Sequence, residues 1–190
     1  MNFNIRTKAV IAFLAAIAIY TVTFVSAHAQ VKVAVIGDSN VYGKGLSPSQ
    51  NYPTQLEAAL RARGFNVSVS NGGINGDTTG GLAARLDSAV PAGTQVVVIW
   101  IGVNDVLRQG KTRQEVYANV ANIVSRLRAR GIDSYFIRPP VYNVHDHQNP
   151  TLIIPGDNHF NAAGYSRMVA KTIGPIARLV SKAAKKKSRA

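Results

Sequence analysis

The segment "GDNHFN" (residues 156–161) sets an acid two positions before a histidine. A histidine acting as a general base needs a third group to fix its ring. Asp157 can supply it, because residues two apart in an extended segment point to the same side. A backbone carbonyl of this loop can orient the ring instead, and Asp146 in the preceding loop is a third candidate. The group for His159 to activate is Ser39, in "GDSN", directly after an apolar run. A serine at a strand-to-loop turn projects its hydroxyl into a cleft, and it becomes a nucleophile when a base and an oxyanion hole face it. "GDSNV" has valine where the G-x-S-x-G elbow has its second glycine, which disfavours the α/β-hydrolase arrangement. Taken alone, Gly-Asp-Ser is an ordinary turn.

Other loops offer the donors that a developing oxyanion requires. Gly76, in "INGDTT", lets a backbone N–H approach a ligand closely, and Asn104, in "IGVND", brings a neutral amide. With the Ser39 N–H they make three donors. Asp77 and Asp105 read as structural, capping the segments that follow them. Gly43 and Gly45 read as a flexible lip beside the serine. His145 and His147, in "HDH", form a weak metal pattern with no second ligand cluster, and no metal is expected.

These loops need a frame. "VKVAVI" is a nearly continuous apolar run ending at Gly37, "FNVSVS" alternates, "TQVVVIWIG" is the strongest strand pattern, and "DSYFIRPP" is a fourth strand stopped by two prolines. Between them lie helical patterns in "YPTQLEAALRARG", around Leu82 and Leu86, and in "TRQEVYANVANIVSRLRARG" with a Thr112/Glu115 capping box. Asn161 caps a last helix through Tyr165, Val169, Ile173 and Val180, with Pro175 expected to kink it. Strands alternating with helices predict a three-layer α/β/α sandwich around a mainly parallel sheet of four or five strands. Ligands sit at the carboxyl ends of such strands, where "GDSN", "NGGINGDTT" and "GVND" all fall.

In this order, "GDSNVYGKG", "NGGINGDTTGG", "IGVND" and "HFNAAGY" resemble the blocks of the SGNH, or GDSL-type, hydrolases, most of all the bacterial periplasmic thioesterase/arylesterase branch. The likeness runs over residues 31–181. It implies a flavodoxin-like fold. It also implies Ser39 as nucleophile, His159 as base, and an oxyanion hole from the Ser39 and Gly76 N–H groups and the Asn104 side chain. The implied reaction is hydrolysis of an ester or thioester through an acyl-enzyme, without a metal or organic cofactor. Three features depart from the pattern. The family's acid lies three residues before the histidine, where this chain has Gly156; Asn40 replaces the usual leucine; and residues 140–159 are too few for the usual helix and fifth strand, leaving the cleft open. The competing expectation is a catalytically impaired module of the same fold that binds envelope polysaccharide or lipid.

The composition frames where such chemistry would run. Arg6 and Lys8 precede an apolar run over residues 9–25, followed by "SAHAQ". This reads as a secretory signal peptide over residues 1–29, leaving a domain over 30–181 and a basic tail over 182–190, in the periplasm or outside the cell. The chain has no cysteine, so export brings no disulfides. Its net charge is +13, and "KAAKKKSRA" carries five of those charges. For an exported protein the candidate partner of that tail is anionic envelope lipid or polysaccharide and not nucleic acid, and the alternative is a solvated helix end with no partner.

Overall fold

The computed structural model describes residues 30–138 and 148–188. Four parallel strands, β1 (Val31–Gly37), β2 (Val67–Gly73), β3 (Val96–Trp100) and β4 (Asp133–Phe136), form a sheet in the order β2-β1-β3-β4. Valine and isoleucine dominate β1 and β3 because these central strands are covered on both faces. The helices are α1 (Ser39–Tyr42), α2 (Tyr52–Ala62), α3 (Thr79–Ala84), α4 (Leu86–Ala89), α5 (Val103–Gln109), α6 (Arg113–Ala129) and α7 (Ala162–Lys187).

Alternation along β1 sorts the core into two layers. Val31, Val33 and Val35 pack with Leu56 and Leu60 of α2 and with Met168, Ile173 and Ile176 of α7. Ala34 and Ile36 face the other way, onto Leu82, Leu86 and the Val120/Ile123/Leu127 stripe of α6. The result is the expected three-layer sandwich, with four strands among the described residues. The "TLII" stretch contributes a single antiparallel bridge, Ile153 to Phe160.

The capping box at Thr112 and Glu115 forms, and Asn161 caps α7 by accepting from the Gly164 N–H at 3.0 Å. Several boundaries differ from the sequence expectation. The "NGG" expected in a loop is the end of β2. A Cβ on Gly73 would lie 2.2 Å from the Tyr42 nitrogen, so only glycine lets α1 pack so closely on this strand. Helix α7 carries Pro175 within it and continues to Lys187, with Ala183 buried, so residues 182–187 are its last turns and not a segment apart from the core. No helix among the described residues is long and apolar enough to cross a membrane. The signal-peptide expectation over residues 1–29 and the "HDH" stretch both lie outside the described residues.

Candidate active site

Ser39 opens α1 at the carboxyl end of β1. Asp38 holds this turn: its carboxylate accepts from the Asn40 N–H at 2.9 Å and from Asn40 Nδ2 at 3.2 Å. Asp38 is buried, and burial, aided by the negative charges of Asp77 and Asp105, pushes its carboxyl up to about 6. Its Oδ2 meets no partner among the described residues.

His159 reaches Ser39 from the loop before α7. The Ser39 hydroxyl donates to His159 Nε2 at 2.8 Å. On the far side of the ring, Nδ1 donates to Asp157 Oδ1. The acid at the shifted position therefore touches the histidine, and local geometry explains how. Ile154, Pro155, Gly156 and Asp157 make a β-turn closed by an Asp157 N–H to Ile154 C=O bond of 3.0 Å. Proline is second, and glycine is third with φ +76°, as a type II turn requires. The Asp157 carboxylate then accepts from the backbone N–H of His159 at 3.1 Å, an Asx-turn. The two side chains meet because the chain turns back on itself, and not because it is extended.

Packing fixes the histidine end. Phe160 is fully buried against Trp100 at the end of β3, with ring centroids 6.1 Å apart, and Tyr52 and Tyr165 complete the aromatic cluster. The Asn161 N–H donates to the Leu152 C=O at 3.0 Å, and the Ile154 N–H to the His159 C=O at 2.9 Å. His159 thus stands between a buried aromatic anchor and a hydrogen-bonded hairpin. The bond from His159, with the Lys44 charge beside it, lowers the Asp157 carboxyl to about 2. Lys44 Nζ lies 3.4 Å from Asp157 Oδ2.

The candidate oxyanion donors come from two loops tied together. Gly76 has φ +78° in the turn after β2. Asn104, buried in the first turn of α5, donates its side-chain amide to the Asp77 C=O at 2.8 Å, next to Gly76. The Asp77 carboxylate pairs with Arg85 at 2.7 Å, and Arg85 also donates to the Gly37 and Gly72 carbonyls at the ends of β1 and β2. Asp105 is fully buried and accepts from the Thr79 N–H at 2.9 Å and from the Thr79 hydroxyl. Both aspartates make bracing contacts, and neither caps the segment that follows it as the sequence suggested. Asp77 braces the loop through Arg85, while the capping of α3 falls to Thr78. Arg85 and Lys44 are the functional neighbours that sequence reasoning missed. Neither sits in a motif that marks it; only the fold brings them to Asp77 and Asp157.

Beside Asn40 opens a cavity of about 350 Å³, lined by Val103, Val106, Leu107, Tyr117, Phe136 and Ile137 among the described residues. Its wall is mostly apolar, and Leu107 is 77% exposed. The described residues therefore offer a serine–imidazole–carboxylate chain, amide donors and an apolar recess at one sheet edge.

A model of the GDSL-like Lipase/Acylhydrolase family matches residues 35–152. The chain belongs to this family. The matched span includes Ser39, Gly76 and Asn104 and stops before Asp157 and His159, so the pairing of those two rests on geometry. An arylesterase of Vibrio mimicus is 33% identical over 121 residues, 62% of this chain and 60% of that protein. Esterase TesA of Pseudomonas aeruginosa is 37% identical over 101 residues, 51% of this chain and 48% of that protein. The chain thus spans about half to three fifths of the length of these relatives. The crystal structure of TesA shares the fold, with a TM-score of 0.68 at 23% identity over 78% of this chain and 99% of that one. The SGNH-family esterase AlinE4 is 28% identical with a TM-score of 0.53, over 81% of this chain and 72% of its own.

Proposed function

We propose that this GDSL-family chain is an exported serine hydrolase that cleaves carboxylic esters or thioesters through an acyl-enzyme on Ser39. The observation that carries this reading is the unbroken contact chain from the Ser39 hydroxyl through His159 to Asp157. In the first half-reaction His159 Nε2 takes the hydroxyl proton as Ser39 Oγ attacks the carbonyl carbon. The carbonyl electrons move onto oxygen, where the Ser39 and Gly76 N–H groups and the Asn104 amide receive the charge. The imidazolium then protonates the departing alcohol or thiol. A water, deprotonated by His159, attacks the acyl carbon in the second half-reaction, and the acid leaves as Ser39 recovers its proton. Asp157 holds the ring with Nδ1 protonated and stabilises the imidazolium. The arylesterase and TesA likenesses support acyl transfer to water as the reaction class, and the apolar recess supports substrates with a small or medium hydrophobic acyl or aryl group. Export rests on the apolar run over residues 9–25 and the Ala-x-Ala ending before Gln30.

The test is labelling with a fluorophosphonate, followed by mapping of the adduct. An adduct on Ser39, with p-nitrophenyl acetate hydrolysis lost in a folded Ser39→Ala variant, is the expected result. Activity near the wild-type level in Ser39→Ala removes Ser39 from the mechanism. No adduct under conditions that label a control esterase turns the reading to a binding module.

A further inference from the structure

The end of the sheet opposite Ser39 carries a second large concavity. A groove of about 1100 Å³ lies where β3 and β4 begin, between the end of α6 and the last turns of α7. Arg128 and Arg130 line it from α6 and the turn after it, and Arg178, Lys182, Lys186 and Lys187 from α7, all exposed. Asp133 is the one acid among the described lining residues, and Lys182 already holds it at 2.8 Å. Arg130 pairs with Asp87 at 3.2 Å. Arg128, Arg178, Lys186 and Lys187 have no carboxylate at ion-pair distance among the described residues. Cations held side by side on packed helix ends, with few acids between them, build a positive field that polyanions relieve.

The entry of the chain distinguishes among polyanions. Lys187 Nζ donates to the Gln30 C=O at 3.2 Å, so the 29 residues before Gln30, with their apolar run, join the domain at this same pole. While the expected signal peptide is still joined it sets this pole against the membrane, and after its removal the cations beside that junction remain as the surface that meets an anionic bilayer. We propose that this groove docks the protein on an anionic phospholipid bilayer, with the Ser39 end turned away. Seven residues of β1 separate the two poles, roughly 20 Å at about 3.3 Å per residue. The docked enzyme would draw esters from the aqueous phase beside the membrane and not from the bilayer itself.

The experiment measures co-flotation of the full chain with vesicles of phosphatidylcholine alone and of phosphatidylcholine with phosphatidylglycerol. The readout is the ratio of anionic to neutral binding, and the contribution of Arg6 and Lys8, common to every variant, cancels when variants are compared. The ratio should be large at low salt and fall towards one at high salt. The variant R128Q/R178Q/K186Q should reduce it by roughly a hundredfold, since each cation near such a surface is worth about a factor of five. The variant K44Q/R108Q/R113Q removes the same net charge from the Ser39 end and should change it little. Equal losses in the two variants would assign the effect to net charge and overturn the proposal. So would a ratio of one in the parent, or retention on an anionic polysaccharide matrix without vesicle binding. None of these readouts involves ester hydrolysis, so docking and catalysis stand or fall separately.

Discussion

Replacing Asp157 by asparagine separates the charge of this residue from its geometry. One oxygen, Oδ1, accepts both the His159 Nδ1–H and the His159 backbone N–H, while Oδ2 faces Lys44. In Asp157→Asn the amide oxygen can keep both bonds at the Oδ1 position, with its NH2 in the place of Oδ2. The Asx-turn and the imidazole tautomer then survive, and what is lost is the negative charge beside the imidazolium. Loss of a triad acid that also forces the wrong tautomer costs about 10⁴ in kcat. Here the tautomer is retained, and the carboxylate is 29% exposed with an ammonium 3.4 Å away, so solvent and Lys44 already screen part of its pull. The expected loss is therefore about 10²–10³ in kcat, or ~3–4 kcal/mol of transition-state stabilisation, with KM little changed. Steady-state hydrolysis of p-nitrophenyl acetate measures it, with the melting temperature as control for folding. Because the carboxyl is lowered to about 2, titration of Asp157 should be invisible in the wild-type pH profile above about pH 3. An Asp157→Asn enzyme within about tenfold of wild type, beside a dead His159→Ala, would refute the assignment and leave a Ser-His dyad held by a carbonyl.

Asn104→Ala should lower kcat by about 10²–10³, the usual loss for one oxyanion donor; a change confined to KM would reassign Asn104 to substrate binding. Asp38→Asn should stabilise the fold at pH 7.5 by roughly 2–3 kcal/mol in chemical denaturation, since a buried carboxyl raised to about 6 is costly to ionise. The sign follows from a folded value above the unfolded one: the native advantage of the protonated group is complete below about pH 4 and lost as pH rises through 6, so the two proteins should converge in acid, and a gain independent of pH would discount the burial argument. Asp105→Ala leaves the buried Thr79 N–H and hydroxyl without their acceptor and should cost about 3 kcal/mol of stability, read from the same denaturation curves.

The strands were legible where burial dictates composition: "VVVIW" is apolar throughout, and "VKVAVI" is apolar but for the exposed Lys32, because helices cover both faces. The end of β2 was not, since Asn71, Gly72 and Gly73 read as loop until the backbone of α1 lies against them. Helix α5 escaped because "VNDVLRQ" exposes Val106 and Leu107 and shows no buried stripe of the usual period. In the site, Ser39, Gly76 and Asn104 were marked by motif and by position at strand ends, and His159 by motif and by the helix start that follows it. Lys44 and Arg85 were not, because what they do depends on contacts with Asp157 and Asp77 that no local pattern encodes. The Asp157 contact was named for a reason that the geometry replaces: an extended segment was expected, and consecutive turns do the work.

That replacement bears on how, in the proposed mechanism, an acid only two residues before the histidine still reaches its ring. The backbone of His159 does not depend on Asp157 for its place. Phe160, the next residue, is sealed between Trp100 and Tyr165, and Asn161 both caps α7 and bonds the Leu152 carbonyl. With the backbone of His159 fixed from its C-terminal side, the acid needs only to bring one carboxylate oxygen to Nδ1. The i to i+2 Asx-turn achieves this with bonds to the histidine's own backbone, and the Pro155-Gly156 turn supplies the reversal that aims it. Two devices, an aromatic anchor and a self-bonded acid, thus share a task that a longer spacing would meet with a wider turn. The order of dependence follows: the fold holds His159, the backbone of His159 holds Asp157, and Asp157 holds the tautomer through which, in the proposed mechanism, Ser39 gives up its proton.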